Sequence, residues 1–569
     1  MVTAADRIDR EVKRQARALY TRAAEHKPSI FEARDLLGRM IDWSLEDDSL
    51  RTALFRFVDV LPSLQSSAEI GRHLEEYFAR VDHALGGLVY VAQALQAGRW
   101  VAPVVRRNVV SFARRFIAEE KTNELVPILS GLRAEPAAFT LDVVGEATVS
   151  DGEAVAMQNR YLNLLRSLSG RATAWPLRPQ IDESPSGPIP RVNLSVKLSS
   201  LCARFDPLDP ETEAIVRQRL RSILREAGRL GAAVTIDMEQ YAFKPLTFQI
   251  FRALLEEEEF AATPRVGLAV QAYLRDTGSD LADLIGWAKQ RGRRIGIRLV
   301  KGAYWDSEVA WAQQKNWPVP VFLVKAETDA NYERLSRLLL ENNDIVDAAF
   351  GSHNLRSLAH AIVTANHLGV PPNGYEIQML YGMAEPFRRA IIENGQRVRV
   401  YLPVGELLPG MSYLIRRLME NTSNTSFLRQ TYADKKDVES LIAAPTAAAR
   451  SVSSRSKSAH PGESSPFRNE PAIDFARSEN RAQFYKALQA TSEQSKRQTR
   501  AARSGEWLES LNPANPKEVV GRVKIASTEE ADEAIDAATG FFPKWRATPA
   551  KKRAEVLLRA AEIMRRKRL

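Results

Sequence analysis

Hydrophobic positions in this chain follow two alternating rhythms. Between about 137 and 430, eight short aliphatic runs recur, and each carries polar or charged residues at its carboxyl end. The runs are AFTLDVVGE, RVNLSVKLS, AAVTIDME, RVGLAVQAY, RRIGIRLVKG, DAAFGSHN, YEIQML and RVRVYLPVG. Between them apolar residues recur every three or four positions. PETEAIVRQRLRSILREAGRLG opens with Pro and an acidic first turn and closes on Arg and Gly, the pattern of an amphipathic helix. VTIDMEQ follows at once, and its Val, Ile and Met favour a strand. Strand and helix alternating eight times predict an α/β fold, a (β/α)8 barrel, which typically takes about 250 residues. A doubly wound sheet would place a glycine-rich phosphate turn after the first strand, and LDVVGEATVS is not GxGxxG. The barrel is expected.

In such a barrel the carboxyl ends of the strands form one rim, where this fold keeps its chemistry. The run ends include Asp142 and Glu146, Lys197, Asp237 and Glu239, Gln271, Arg298 and Lys301, His353 and Asn354, Gln378, and Tyr401. Charges scattered along the chain thereby become a ring around a single mouth, which points to an enzyme.

Before the barrel, SIFEARDLLGRMIDWSL and SAEIGRHLEEYFARVDHAL carry helical spacing between Ser, Pro and Asp signals, so residues 1–136 read as a helical arm and cap. The barrel is assigned 137–435. Residues 436–504 begin as a small, polar, Ser- and Pro-rich connection, AAPTAAARSVSSRSKSAHPGESSP, followed by a helical stretch. At 505 a new grammar starts: strand and turn, strand, then two amphipathic helices, the last without a cap or breaker. That ending suggests a fragment of a longer protein.

Composition narrows the classes. At 569 residues the chain needs two or three domains, and 44% hydrophobic with 26% charged residues is ordinary for a globular protein. No run approaches the ~18 apolar residues of a spanning helix, and MVTAADRIDREVKRQ is too charged for a secretion signal, so a cytoplasmic location is expected. A single cysteine, Cys202, excludes an intramolecular disulfide framework and a cysteine-based zinc cluster; it is expected to be a buried packing residue. No metal site is expected. The net charge of +10 lacks finger spacing, an RNA signature or a helix-turn-helix, and reads as a solvated basic face without specific DNA binding.

Lys197, Arg298, Lys301, His353 and the pair Arg416–Arg417 make the mouth cationic, which suits a phosphate or carboxylate. Asp237 and Glu146 could counter part of this charge. In MSYLIRRLMEN, Arg416 and Glu420 are four apart on one helical face. Such a helix after the eighth strand would lie over the mouth, where two guanidinium groups could grip a carboxylate. Bonds to a charged group contribute roughly 1.5–3 kcal/mol each.

RLVKGAYWDSE at 298–308, YLPVG at 401–405, RRLMEN at 416–421 and NTSF at 424–427 resemble the signature segments of flavin-dependent proline dehydrogenases. LSVKLSSL, TIDME, VQAY and SHN fall in the same order, so the resemblance spans roughly residues 40–430. Residues 505–569 resemble the start of an aldehyde dehydrogenase, and both together resemble the bifunctional proline utilization A family. The resemblance implies a noncovalent FAD and oxidation of L-proline to Δ1-pyrroline-5-carboxylate by hydride transfer, with electrons passing to a membrane quinone. It also implies peripheral contact with the inner membrane, leaves a homo-oligomer open, and confines NAD to an aldehyde dehydrogenase domain only begun here. Nothing before residue 40 resembles the ribbon-helix-helix module of trifunctional members.

Residue by residue, the resemblance makes Arg416 and Arg417 a carboxylate clamp assisted by Lys197, with Glu146 the ion-pair partner of Arg416. Tyr304, Tyr401, Leu299 and Leu380 would wall the pyrrolidine ring. Arg298 would sit near flavin N5, with Gln271 and Asp237 fixing the isoalloxazine and its network. Lys301, Gly302, Ala303, His353 and Asn354 would line the pyrophosphate and ribityl chain, and Trp305, Lys325 and Thr328 the adenosine end. Gln378, Glu420, Ser426 and Phe427 would complete the cofactor shell. The residues alone leave a second reading: a barrel aldolase in which Lys197 forms a Schiff base. A third makes the basic surface a nucleic-acid or membrane tether.

Overall fold

A computed structural model describes residues 4–26, 48–64, 66–78, 113–145, 148–260, 265–406, 410, 438–445, 469–501 and 507–568. Glu146, Arg416, Arg417, Glu420, Ser426 and Phe427 lie outside them.

Eight parallel strands close into a barrel: β1 (Ala137–Val143), β2 (Asn193–Val196), β3 (Ala233–Ile236), β4 (Val266–Gln271), β5 (Ile295–Val300), β6 (Val346–Gly351), β7 (Glu376–Leu380) and β8 (Val398–Val404). Each pairs with its neighbours in chain order, and β8 closes on β1 from Ala137↔Val398 to Val143↔Val404. The eight runs read from the sequence are these strands.

Helices cover the outside, and their ends follow the local sequence. Asp209 caps the helix Pro210–Leu230 by accepting from Glu211 N–H at 2.9 Å, and Gly231 ends it at φ 65°. Residues facing the helices, such as Val398, Val400 and Leu402 of β8, are fully buried. They join the apolar core between barrel and helices.

The N-terminal arm begins with a helix, α1 (Ala4–Ala24). Its buried Val12, Ala16, Leu19 and Ala23 recur at helical spacing and join the main core. An Asp9–Arg356 ion pair at 2.6 Å and a hydrogen bond between Glu11 and His367 Nε2 at 2.8 Å fasten it to the barrel's outer layer.

The chain divides into two compact units, Met1–Ala472 and Ile473–Leu569. The second contains the helix Ser478–Ala501, an antiparallel hairpin of β9 (Trp507–Asn512) and β10 (Asn515–Lys524), and the helices Thr528–Ala547 and Ala550–Arg566. Ser527 and Glu530 form a reciprocal capping box at the start of the first of the latter two. The helix Ser478–Ala501 is the helical stretch expected after the Ser- and Pro-rich connection.

Candidate active site

Side chains alternate along a strand, so every second residue of each barrel strand points inward. In NLSVK, EIQML and RVRVY those inward positions are polar: Asn193, Ser195 and Lys197; Glu376 and Gln378; Arg399 and Tyr401. Barrels usually fill this space with branched aliphatic side chains. Here it holds a hydrogen-bonded polar network.

Its centre is Arg298, buried on β5. The guanidinium pairs with Asp237, just past β3, and both terminal nitrogens donate to Ser195 Oγ on β2 at 3.1 Å. Ser195 donates in turn to Asp237 Oδ1 at 2.7 Å, and the Tyr401 phenol donates to Asp237 Oδ2 at 3.0 Å. β2, β3, β5 and β8 are not all neighbours, so these bonds cross the barrel interior. Arg298 also lies 5.2 Å from the centre of the Tyr401 ring. Burial alone would raise the Asp237 carboxyl, but Arg298 and then Lys197 outweigh it and hold its pKa below the ordinary value.

Lys197 follows β2 and pairs with Asp142 near the end of β1; its Nζ also lies 3.7 Å from Asp237 Oδ2. Burial would lower its pKa, yet Asp142, Tyr401 and Asp237 push it well above the ordinary value. A Schiff-base lysine must reach its neutral form, so this environment argues against the aldolase reading.

The structure corrects one part of the rim expectation. Arg298, Gln378 and Tyr401 lie inside their strands, not at the ends. Each strand continues for two or three residues past its polar position, which sets these side chains deeper in the barrel. Lys197, Asp237, Gln271, Lys301, His353 and Asn354 do occupy the carboxyl ends or the residues just beyond.

Around that end, Gln271 donates to the Glu239 carbonyl at 3.1 Å, and its own Oε1 is buried without a partner. Gln378 donates to Glu376 at 2.6 Å and likewise leaves Oε1 unpartnered. Leu380 N–H donates to His353 Nε2 at 3.1 Å, and Asn354 caps the helix Leu355–His367 by accepting from Ser357 N–H. Leu299 is fully buried and Leu380 half-buried.

Beyond β5, Lys301 pairs with Asp329, which Lys325 also reaches at 2.7 Å. Burial pulls Lys301 down to about 8 despite that carboxylate. Gly302 has φ 136°, and a Cβ there would meet the Tyr273 ring at 2.5 Å, so the turn requires glycine. Ala303 and Tyr304 lead into the helix Trp305–Lys315; Trp305 is partly exposed and donates to the Phe322 carbonyl at 2.8 Å. Thr328 is buried in the first turn of the helix Lys325–Glu341.

Ser195 and Asp329 were absent from the expected set. Ser195 shares the inward alternation of Lys197 in NLSVK, and Asp329 stands four residues after Lys325 on one helix. Both signals were present in the sequence.

The family model described as proline dehydrogenase matches residues 128–430, more than half the chain. The chain belongs to the proline dehydrogenase family. Proline dehydrogenases of this kind are flavin-dependent in general. A model for the proline utilization A N-terminal domain matches residues 9–116, so likeness begins earlier than the expected residue 40. The aldehyde dehydrogenase family model matches 499–569.

Among curated relatives, the bifunctional protein PutA of Klebsiella aerogenes is 28% identical over 562 residues, covering 91% of this chain and 41% of that protein. The proline dehydrogenase of Deinococcus radiodurans is 28% identical over 331 residues, covering 58% of this chain and 93% of that protein. The crystal structure of proline utilization A from Bdellovibrio bacteriovorus, inactivated by N-propargylglycine, is 37% identical with a TM-score of 0.84. That match covers 99% of this chain and 57% of that one. The chain thus spans about two-fifths of the bifunctional Klebsiella relative. No helix among the described residues is long and apolar enough to cross a membrane.

Proposed function

We propose that the barrel oxidises L-proline to Δ1-pyrroline-5-carboxylate with a noncovalently bound FAD, the electrons then passing to a membrane quinone. The observation that carries this reading is the Arg298–Asp237–Ser195 cluster, a buried cation held rigidly from two sides inside the barrel.

The residues fit the cofactor. Gln271 Oε1 and Gln378 Oε1 are buried acceptors without donors, and an isoalloxazine edge offers an N–H. Lys301 and Lys325 share one carboxylate, leaving positive charge for a pyrophosphate. Gly302 and Ala303 follow Lys301 in the same turn, with His353 and Asn354 on the next loop. Trp305 and Thr328 are assigned to the adenosine end, and Glu420, Ser426 and Phe427 to the remaining shell.

Bound flavin supplies an acceptor for the hydride that leaves the carbon next to the proline nitrogen, which no side chain can take. Arg298 would stabilise negative charge arriving beside it, and Asp237 with Ser195 holds that guanidinium in place. Tyr401, Tyr304 and Leu380 would confine the pyrrolidine ring, whereas Leu299, next to the inward Arg298, faces the apolar core; Arg416, Arg417 and Lys197 would bind the carboxylate and Glu146 would pair with Arg416. The proline nitrogen must be neutral for its lone pair to assist, so the rate rises as that amine deprotonates. Inactivation of the Bdellovibrio relative by N-propargylglycine, a secondary amine, suits an amine-oxidising site. The NAD-dependent second step is not assigned to this chain. Association with the inner-membrane surface from the cytoplasm, and self-association, belong to the same proposal.

The test is product formation. With FAD and a soluble quinone, the purified chain is expected to convert L-proline to a product trapped by o-aminobenzaldehyde. Arg416→Met or Arg417→Met should raise KM for proline by at least tenfold while FAD stays bound, the loss of about 1.4 kcal/mol or more of binding. An unchanged KM would remove the clamp. No trapped product from wild type holding FAD would remove the activity.

A further inference from the structure

The opposite, amino-terminal end of the barrel contains a cavity of about 70 Å³. A water needs roughly 10–15 Å³ of such space, so it can take a small ion with some of its hydration. Small residues create the room: Gly267 and Gly296 face each other across β4 and β5, and Ala233 and Ala349 line the same space.

The charges around this floor do not balance. Glu376 is the carboxylate for two buried arginines, Arg399 at 2.9 Å and Arg397 at 3.6 Å. Asp347 is the carboxylate for two more, Arg294 at 2.8 Å and Arg265 at 4.0 Å. Four guanidinium groups therefore share two carboxylates, while Arg298 above them has Asp237 to itself among the arginines. Arg397 Nε is buried with no hydrogen-bond partner, its distance to Glu376 being beyond hydrogen-bond reach. Burial, then Arg399 and Arg265, push Arg397 down to about 10 despite Glu376 and Asp347.

Uncompensated buried cations are costly, and guanidinium N–H groups are strong donors to anions. We infer that the barrel floor is a binding site for a small monovalent anion, halide-sized, held by Arg397 and Arg399 with Arg265 at the margin. Arg298 and Gln378, assigned above to the flavin, line the same cavity, but the proposed anion contacts are to Arg397, Arg399 and Arg265.

The test uses the full chain in chloride-free buffer, with bromide as the probe and gluconate, too large for the cavity, keeping ionic strength constant. Bromide is expected to raise Tm saturably, by roughly 2 °C at ten times its Kd. Arg397→Gln should abolish that dependence. Crystals grown with bromide should show an anomalous peak within hydrogen-bond distance of Arg397 Nε. If the variant does not fold, the wild-type peak decides alone. A Tm that responds equally to bromide and gluconate, or bromide peaks only on the surface, overturns the site.

Discussion

Ser195 holds Arg298 by a single hydroxyl: both terminal nitrogens of the guanidinium reach its Oγ at 3.1 Å, while that oxygen donates its own proton to Asp237. The serine lets a cation and its counter-ion share one orienting group in the barrel interior.

Ser195→Ala removes that group and leaves Arg298 with a poorer set of acceptors. Bonds to charged groups are worth about 1.5–3 kcal/mol, and urea unfolding should show a loss in that range, with the midpoint lowered and the slope unchanged. The bound flavin's potential should shift as well, because the guanidinium is no longer fixed. Wild-type stability and potential in this variant would show that Asp237 alone positions Arg298.

Lys301 is held near 8 chiefly by burial, only partly offset by Asp329. A proton on Lys301 favours a pyrophosphate, so FAD affinity should fall as pH rises through about 8. Titration of the apoprotein by flavin fluorescence checks this, and Lys301→Met should weaken binding and flatten the profile. An equally steep profile in the variant would place the titrating group elsewhere.

Glu376 supports acid stability through the floor of the barrel. Burial would raise its carboxyl, but Arg399 and then Arg397 outweigh that and hold it at about 2. A folded pKa below the unfolded value of about 4.3 gives stability that is full above the latter and is lost as pH falls toward 2. The contribution is on the order of 3 kcal/mol. Glu376→Gln should be destabilised at pH 7 and converge on wild type near pH 2, read from urea midpoints. A constant difference across that range would contradict the assignment.

Much of this was legible in the sequence. The eight runs became eight strands because their β-branched residues and the intervening helical periods agreed at every step. Lys197 and Asp237 were found because they stand where strands end. The depth of Arg298 and Tyr401 was misread because a hydrophobic run does not mark which of its residues is last in a ladder. Ser195 was overlooked for another reason: a serine within a strand looks unremarkable until an arginine from a strand three places on meets it. The floor charges are not legible in the sequence because Glu376 opens its strand and Arg397 precedes the next, where a single polar residue looks like an ordinary loop end.

The proposed flavin site around Arg298 is tested by the absorption spectrum of the purified chain reconstituted with FAD, before and after L-proline under anaerobic conditions. Retained flavin absorption that bleaches when proline is added is the expected result. Folded protein that retains no FAD, or bound FAD that stays oxidised with saturating proline, would contradict it.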